Sequence, residues 1–169
     1  MANVKRVRLA ANHSGAAGCY FVAAELSRRG YIATLTVRNA KGVDLLVANK
    51  FGTRTIAIQV KTSQDSSKYW LLGIDSETLL AENLFYVFVN LNGLEPPKFH
   101  IVESQIVADY CRNFHIDWLK GTNKDGSARK NTEMREFRDR TNVYLDAWYR
   151  LGLDNGMDDA SPPRSGATS

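Results

Sequence analysis

The segment RTIAIQVKT at residues 54–62 constrains the fold more than any other stretch. Side chains alternate across a strand, so Ile56, Ile58 and Val60 face a core while Ala57, Gln59 and Lys61 face the opposite way. The apolar run VDLLVA at 43–48 precedes it across NKFG at 49–52, which predicts a hairpin with a four-residue loop. Pairing Ala48 with Thr53 then sets Asp44 opposite Ala57 and diagonal to Gln59, about 7 Å away between α-carbons, with Lys61 one step further on the same face. A carboxylate, an amide oxygen and an amine are thereby expected to converge. A solvent-exposed ion pair between Asp44 and Lys61 is the plain alternative for this grouping.

The flanking sequence extends the pattern. Residues 14–29, SGAAGCYFVAAELSRR, predict a helix with Ser14 able to cap it and Gly30 as its stop. Strands are expected at 31–37, 69–74, 84–91 and in KFHIV at 98–102, with a short helix over 76–82. Two closing helices are expected to pack on the sheet. The first, 104–118, carries Ile106, Val107, Tyr110 and Phe114 at helical spacing. The second, 132–151, carries Met134, Phe137, Val143, Tyr144 and Trp148. An αβββ start followed by further strands and helices predicts a mixed α/β sandwich at 14–153, after a basic arm at 1–13. From residue 154 the chain loses periodicity and gains Pro, Gly and Ser, the composition of a disordered tail.

At 169 residues the chain is long enough for one proper core without a disulfide or metal staple. Two scattered cysteines and the lack of a signal-peptide pattern predict a cytoplasmic protein. Apolar runs such as YVFV at 86–89 fall far short of the roughly 20 residues a membrane span needs. Charge is uneven: residues 1–70 hold eleven Lys/Arg against three acids, a net +8 in a chain whose total is +4. That asymmetry points to a polyanion-facing surface, with ordinary solvated faces as the alternative.

An aspartate and an amide oxygen are hard ligands suited to Mg²⁺ or Mn²⁺, and a lysine beside them could orient a water. A cation there would offset charge developing on a phosphodiester oxygen, so the set suits hydrolysis of a nucleic-acid backbone. Arg38, Lys41 and Lys68 flank the hairpin in sequence and are expected to border the site and contact phosphates.

The ordered set GAAGCYFVAAELSRRGY, KGVDLL and IQVKTS resembles the PD-(D/E)xK nuclease superfamily. It is most similar to its small branch of archaeal Holliday-junction resolvases and bacterial restriction-like endonuclease domains. The resemblance covers residues 14–63 well and the following strand and helices only by pattern. It implies a restriction-endonuclease-like mixed sheet flanked by helices and an Mg²⁺-dependent endonuclease acting on DNA, with a homodimer left open. It also implies that Asp44 is the central metal-binding aspartate, that Gln59 is a metal ligand standing where an acid is usual, and that Lys61 is the motif lysine. Cys19 stands where many relatives have a helical glutamate. Glu25 cannot replace it, because six residues place it about 240° around the helix. One carboxylate in place of three implies reduced activity, or a fold without catalysis serving as a nucleic-acid-binding or protein-interaction module.

Other candidates are weaker. Cys19 with His13 lacks an orienting group for a nucleophile and reads as a small buried hydrophobe. Cys111 and His115 share a helical face, yet two ligands do not make a zinc site. His100 is expected to be hydrogen-bonded structure. Trp118, Phe137, Tyr144, Trp148 and Tyr149 read as core.

Overall fold

The first helix, α1 (Ala11–Arg28), starts three residues before the expected position. Ala10 is its cap and offers no side-chain hydrogen bond, while Ser14 lies inside the helix, buried, with its hydroxyl donating to the Ala11 carbonyl at 3.0 Å. Gly30, at φ +83°, ends the helix as expected because only glycine adopts that conformation freely. The computed structural model describes residues 8–37 and 42–154. Most of the expected basic arm, together with Arg38, Lys41 and the tail from residue 155, lies outside the described residues.

The strands follow as β1 (Ile32–Leu35), β2 (Leu45–Ala48), β3 (Thr55–Ser63), β4 (Tyr69–Gly73), β5 (Leu84–Asn90), β6 (Lys98–Glu103) and β7 (Met134–Arg138). The second helix, α2 (Ser104–Leu119), separates the last two strands. Five strands form a mixed sheet in the order β1-β2-β3-β5-β6, in which β3 and β5 run parallel and the other neighbours antiparallel. All seven residues of β5 are buried, as a central strand covered on both faces requires.

The two faces have separate cores. On one, Val22 and Leu26 of α1 pack against Leu45, Val47, Ile56, Ile58, Val60, Val87 and Ile101. On the other, Tyr86 and Phe88 meet Val107 and Cys111 of α2 and the two-stranded sheet β4-β7 through Trp70 and Phe137. This second cover stops short of β1 and β2, where Ile32 and Leu46 remain 53% and 54% exposed.

Two expectations are corrected here. Residues 76–82 are not an α-helix; a single 3₁₀ turn spans Ile74–Glu77. The expected helix over 132–151 is replaced by strand β7 and a 3₁₀ turn at Trp148–Leu151. In β7 the alternation buries Arg135 and Phe137, and Phe137 stacks on Phe88 at 4.6 Å between ring centres. Asp139 then breaks any helical continuation by accepting the Val143 and Tyr144 amides at 2.9 and 3.1 Å and pairing with His100 Nδ1 at 2.6 Å. His100 and Asp139 are nearly sealed from solvent, so His100 is structural as expected. Of the aromatic set, Phe137 and Trp148 are core, whereas Tyr149 is 74% exposed.

Candidate active site

The connection between β2 and β3 spans residues 49–54, two longer than the sequence suggested. Asn49 organises it: its amide N–H donates to the Arg54 carbonyl, and its side-chain oxygen accepts the Thr53 and Arg54 amides. The register therefore pairs Ala48 with Thr55 and Leu46 with Ala57, which sets Asp44 directly across from Gln59 instead of diagonal to it. An even shift preserves the side-chain face, so the expected approach of Asp44 to Gln59 survives and tightens.

At Asp44 the two strands part. Its backbone amide still donates to the Ile58 carbonyl at 2.8 Å, but the chain before it leaves the ladder. Val60 N–H would otherwise lose its partner, and the Asp44 carboxylate takes that place, with Oδ2 accepting it at 2.7 Å. The same oxygen accepts Gln59 Nε2 at 3.1 Å. Asp44 Oδ1 accepts no hydrogen bond among the described residues. Gly42, at φ +82°, makes the approach to Asp44 possible: a Cβ there would lie 2.7 Å from Leu79 Cδ2.

The splay opens a cleft of about 440 Å³. Asp44 and Val60 line one wall of it, and Asn12, Gly15, Ala16, Cys19 and Tyr20 of α1 line another. Cys19 lines the cleft near Asp44 and at the same time packs, partly buried, against the core under α1. Its thiol is pushed up to about 11, first by burial and second by the Asp44 charge, so it is protonated at neutral pH and unsuited to nucleophilic attack. Glu25 is turned away and pairs with Arg28 and Arg29 at 2.6 and 2.5 Å. Next to Cys19, Gly18 lets α1 approach β3 closely: a Cβ would sit 2.0 Å from Thr62 Oγ1, itself buried without a hydrogen-bond partner.

Asp44 is brought beside Cys19 in the cleft and is hydrogen-bonded to Gln59, but Gln59 and Lys61 project from the face of β3 opposite Val60, and neither is among the residues lining the cleft. Lys61 lies beside Phe88 of β5, half-buried and without an ion pair among the described residues. Lys68 stands at the entry to β4 with its ammonium on the Arg140 carbonyl at 3.1 Å, apart from the cleft lining. The Cys111–His115 pair holds no metal geometry: Cys111 Sγ donates to the Glu136 carbonyl and His115 Nε2 meets Asn131 Oδ1. What sequence reasoning missed is the Asp44–Val60 hydrogen bond and the cleft residues Asn12 and Tyr20. The sequence placed the first strand at 43–48, and its shortening to Leu45–Ala48 is what leaves Val60 N–H to the Asp44 carboxylate.

Among the described residues no three His, Cys, Asp or Glu side chains cluster as a metal cage. A cation that keeps most of its water could use the one open carboxylate oxygen, Asp44 Oδ1, beside which Gln59 presents its Nε2 and not its amide oxygen. For Gln59 to ligate, its amide must turn so that Oε1 replaces Nε2 toward the carboxylate.

No family model matches the chain, and no curated protein matches it. The fold is similar to the solved structure of a bacterial homing endonuclease, I-Ssp6803I, at 15% identity and a TM-score of 0.54. The likeness covers 88% of this chain and 95% of that one. The chain therefore has a mixed α/β fold similar to that of this homing endonuclease, with its cleft where β2 and β3 part.

Proposed function

We propose that the chain is a metal-dependent endonuclease of the PD-(D/E)xK type that hydrolyses phosphodiester bonds in DNA. The carrying observation is Asp44, fixed by Val60 N–H and Gln59 at the strand splay with Oδ1 left open toward a cleft, on a fold shared with a homing endonuclease. Bound Mg²⁺ or Mn²⁺ would lower the pKa of a coordinated water and offset phosphate charge. The residues of the chain would do the positioning: Asp44 Oδ1 would hold the cation, joined by the Gln59 amide oxygen only once that amide turns, and the Lys61 amine would orient the water. Arg38 and Lys41 hold phosphates on the approach to Asp44, with Lys68 further off. No helix among the described residues is long and apolar enough to cross a membrane.

A second reading is a DNA-binding module without catalysis. It is favoured by the cleft lining, where among the described residues Asp44 is the sole carboxylate and the α1 wall offers the Cys19 thiol. Nicking of supercoiled plasmid and of branched DNA in 10 mM-range Mg²⁺ or Mn²⁺ separates the two. Lys61→Ala should abolish cleavage while its melting temperature and DNA affinity stay near those of the parent, because Lys61 packs into neither core. Undiminished cleavage by Lys61→Ala would overturn the proposed roles, and DNA binding without cleavage by the parent chain would establish the second reading.

A further inference from the structure

A further cavity, of about 330 Å³, lies between α2 and the β4-β7 pair, on the side of the main sheet away from the cleft. Its size falls among small-ligand sites, roughly 300–1,000 Å³. Phe114 and Trp118 of α2, Leu71 of β4 and Met134 of β7 give it apolar walls. Spacing predicts Trp118 as core, yet Phe114 and Trp118 belong to neither core and both stay half-buried. Tyr110, Phe114 and Trp118 recur every four residues, so they share one side of α2. Tyr110 stacks on Phe114 at 5.7 Å, and the Arg138 guanidinium lies 4.7 Å from the Phe114 ring centre. Arg129 sits 4.9 Å over Trp118 but does not line the cavity, so part of the indole is left open to it. Rings and guanidinium planes around a slot are the surfaces on which nucleobases stack.

Arg135 supplies a polar edge. Its side chain, 4% exposed, is held by Glu77 through Nε and by the Thr132 and Met134 carbonyls through Nη1 at 2.6 and 2.9 Å. Nη2 has no partner among the described residues and is not sealed from solvent, so the lining retains a donor for the acceptor edge of a base. Charge is complementary to a polyanion: the guanidiniums of Arg135 and Arg138 line the cavity against one carboxylate, Glu136, which Arg138 already pairs. Beyond Arg138 the exposed Lys68 and Arg140 add to the same end of the two-stranded sheet. Lys68 precedes Tyr69, the β4 partner of Arg138, and its ammonium rests on the Arg140 carbonyl at 3.1 Å. Neither forms an ion pair among the described residues.

We infer that this cavity takes one unpaired nucleobase of a single DNA strand, stacked on the Trp118 indole, with Lys68 and Arg140 on the phosphates of the flanking nucleotides. A base inside a duplex has both faces covered by its neighbours and cannot enter, so the site selects an unpaired strand. The occupant is a nucleic-acid strand rather than a peptide, because a strand alone brings a flat ring for the slot and a charge at every nucleotide for the cations beside it. The site lies away from Asp44 and needs no cation there. It therefore goes beyond the nuclease reading and stands or falls separately from it.

The test titrates the full-length chain with a short single-stranded oligothymidine in metal-free buffer with a chelator, so that no cleavage intervenes. Trp70 and Trp148 are only 3% and 6% exposed, so the half-buried Trp118 reports stacking through its own fluorescence. The parent should be quenched, and Trp118→Phe should lose the quenching while keeping affinity, read by anisotropy of a labelled strand. Trp118→Ala should weaken binding about five- to a hundredfold, the loss of one stacked base, without changing its salt dependence. Lys68→Ala with Arg140→Ala should instead lower the slope of log affinity against log salt by about 1.4, near 0.7 per lost phosphate contact. A strand of the same length with abasic sugars should bind the parent and Trp118→Ala equally. Three results each overturn the inference: no quenching of the parent, an equal loss for Trp118→Ala on the abasic strand, or free thymidine monophosphate bound as tightly as the oligothymidine. In any of these cases, duplex nicking by the parent that Trp118→Ala leaves unchanged keeps the nuclease reading intact.

Discussion

Cys19→Glu would place a carboxylate where the thiol now faces Asp44 across the cleft. The thiol is pushed from 9.0 up to about 11, first by burial and second by the Asp44 charge. Both causes act on a carboxylate with the same sign, since each disfavours the charged form. Two units correspond to about 2.7 kcal/mol at 1.36 kcal/mol per unit. Partial exposure screens the interaction, and about 1–2 kcal/mol remains. The pH window follows from the direction. The folded-state pKa of the new carboxyl is raised above its unfolded value of about 4.3, so the variant keeps its stability below that pH and loses it as pH rises through the folded value. For a chain of this length that loss is about 2–8 °C of melting temperature at pH 8, and little at pH 4. A cation between the two carboxylates removes both penalties, and ligand at a hundredfold excess over its Kd adds about 2.7 kcal/mol. Thermal melts at both pH values, with and without Mg²⁺, therefore read the site directly. A destabilisation equal at pH 4 and pH 8 would mean that the position is limited by shape and not charge. A pH-dependent loss that Mg²⁺ fails to reverse would refute the placing of a cation at Asp44.

Asp44 itself separates charge from hydrogen bonding. Asp44→Asn keeps an oxygen for Val60 N–H and should melt near the parent while losing metal affinity, read by calorimetric titration with Mn²⁺; Asp44→Ala should cost a further 1–3 kcal/mol, roughly the penalty of an unpaired buried amide. Gly18→Ala should destabilise by about 1–3 kcal/mol in urea unfolding, because the overlap with Thr62 Oγ1 outweighs the gain of about 1 kcal/mol in helix propensity. Combining it with Thr62→Ala should recover most of that loss.

The parity of the hairpin was legible and its loop was not. Turn residues bounded NKFG, but Asn49 draws Thr53 and Arg54 into the connection through its side chain, and a four-residue reading becomes six. Since the error is even, Asp44 stays on the face of Gln59 and Lys61; an odd error would have set it on the opposite one. Strand β7 was lost to a helix because Met134 and Phe137 satisfy a three-residue period as well as a strand, and the feature that decides between them is distant. His100 lies 39 residues from Asp139 in sequence, and their buried pair stabilises the turn that no local propensity announces. The cleft follows from the same kind of non-local event. Strand β2 has four residues and β3 nine, so some amides of β3 must find partners beyond the ladder. Val60 finds the Asp44 carboxylate, and that hydrogen bond holds the carboxylate at the point where the strands part. A sequence pattern can name the aspartate, but what turns it toward a cleft is the unmet hydrogen bond of a residue sixteen positions away.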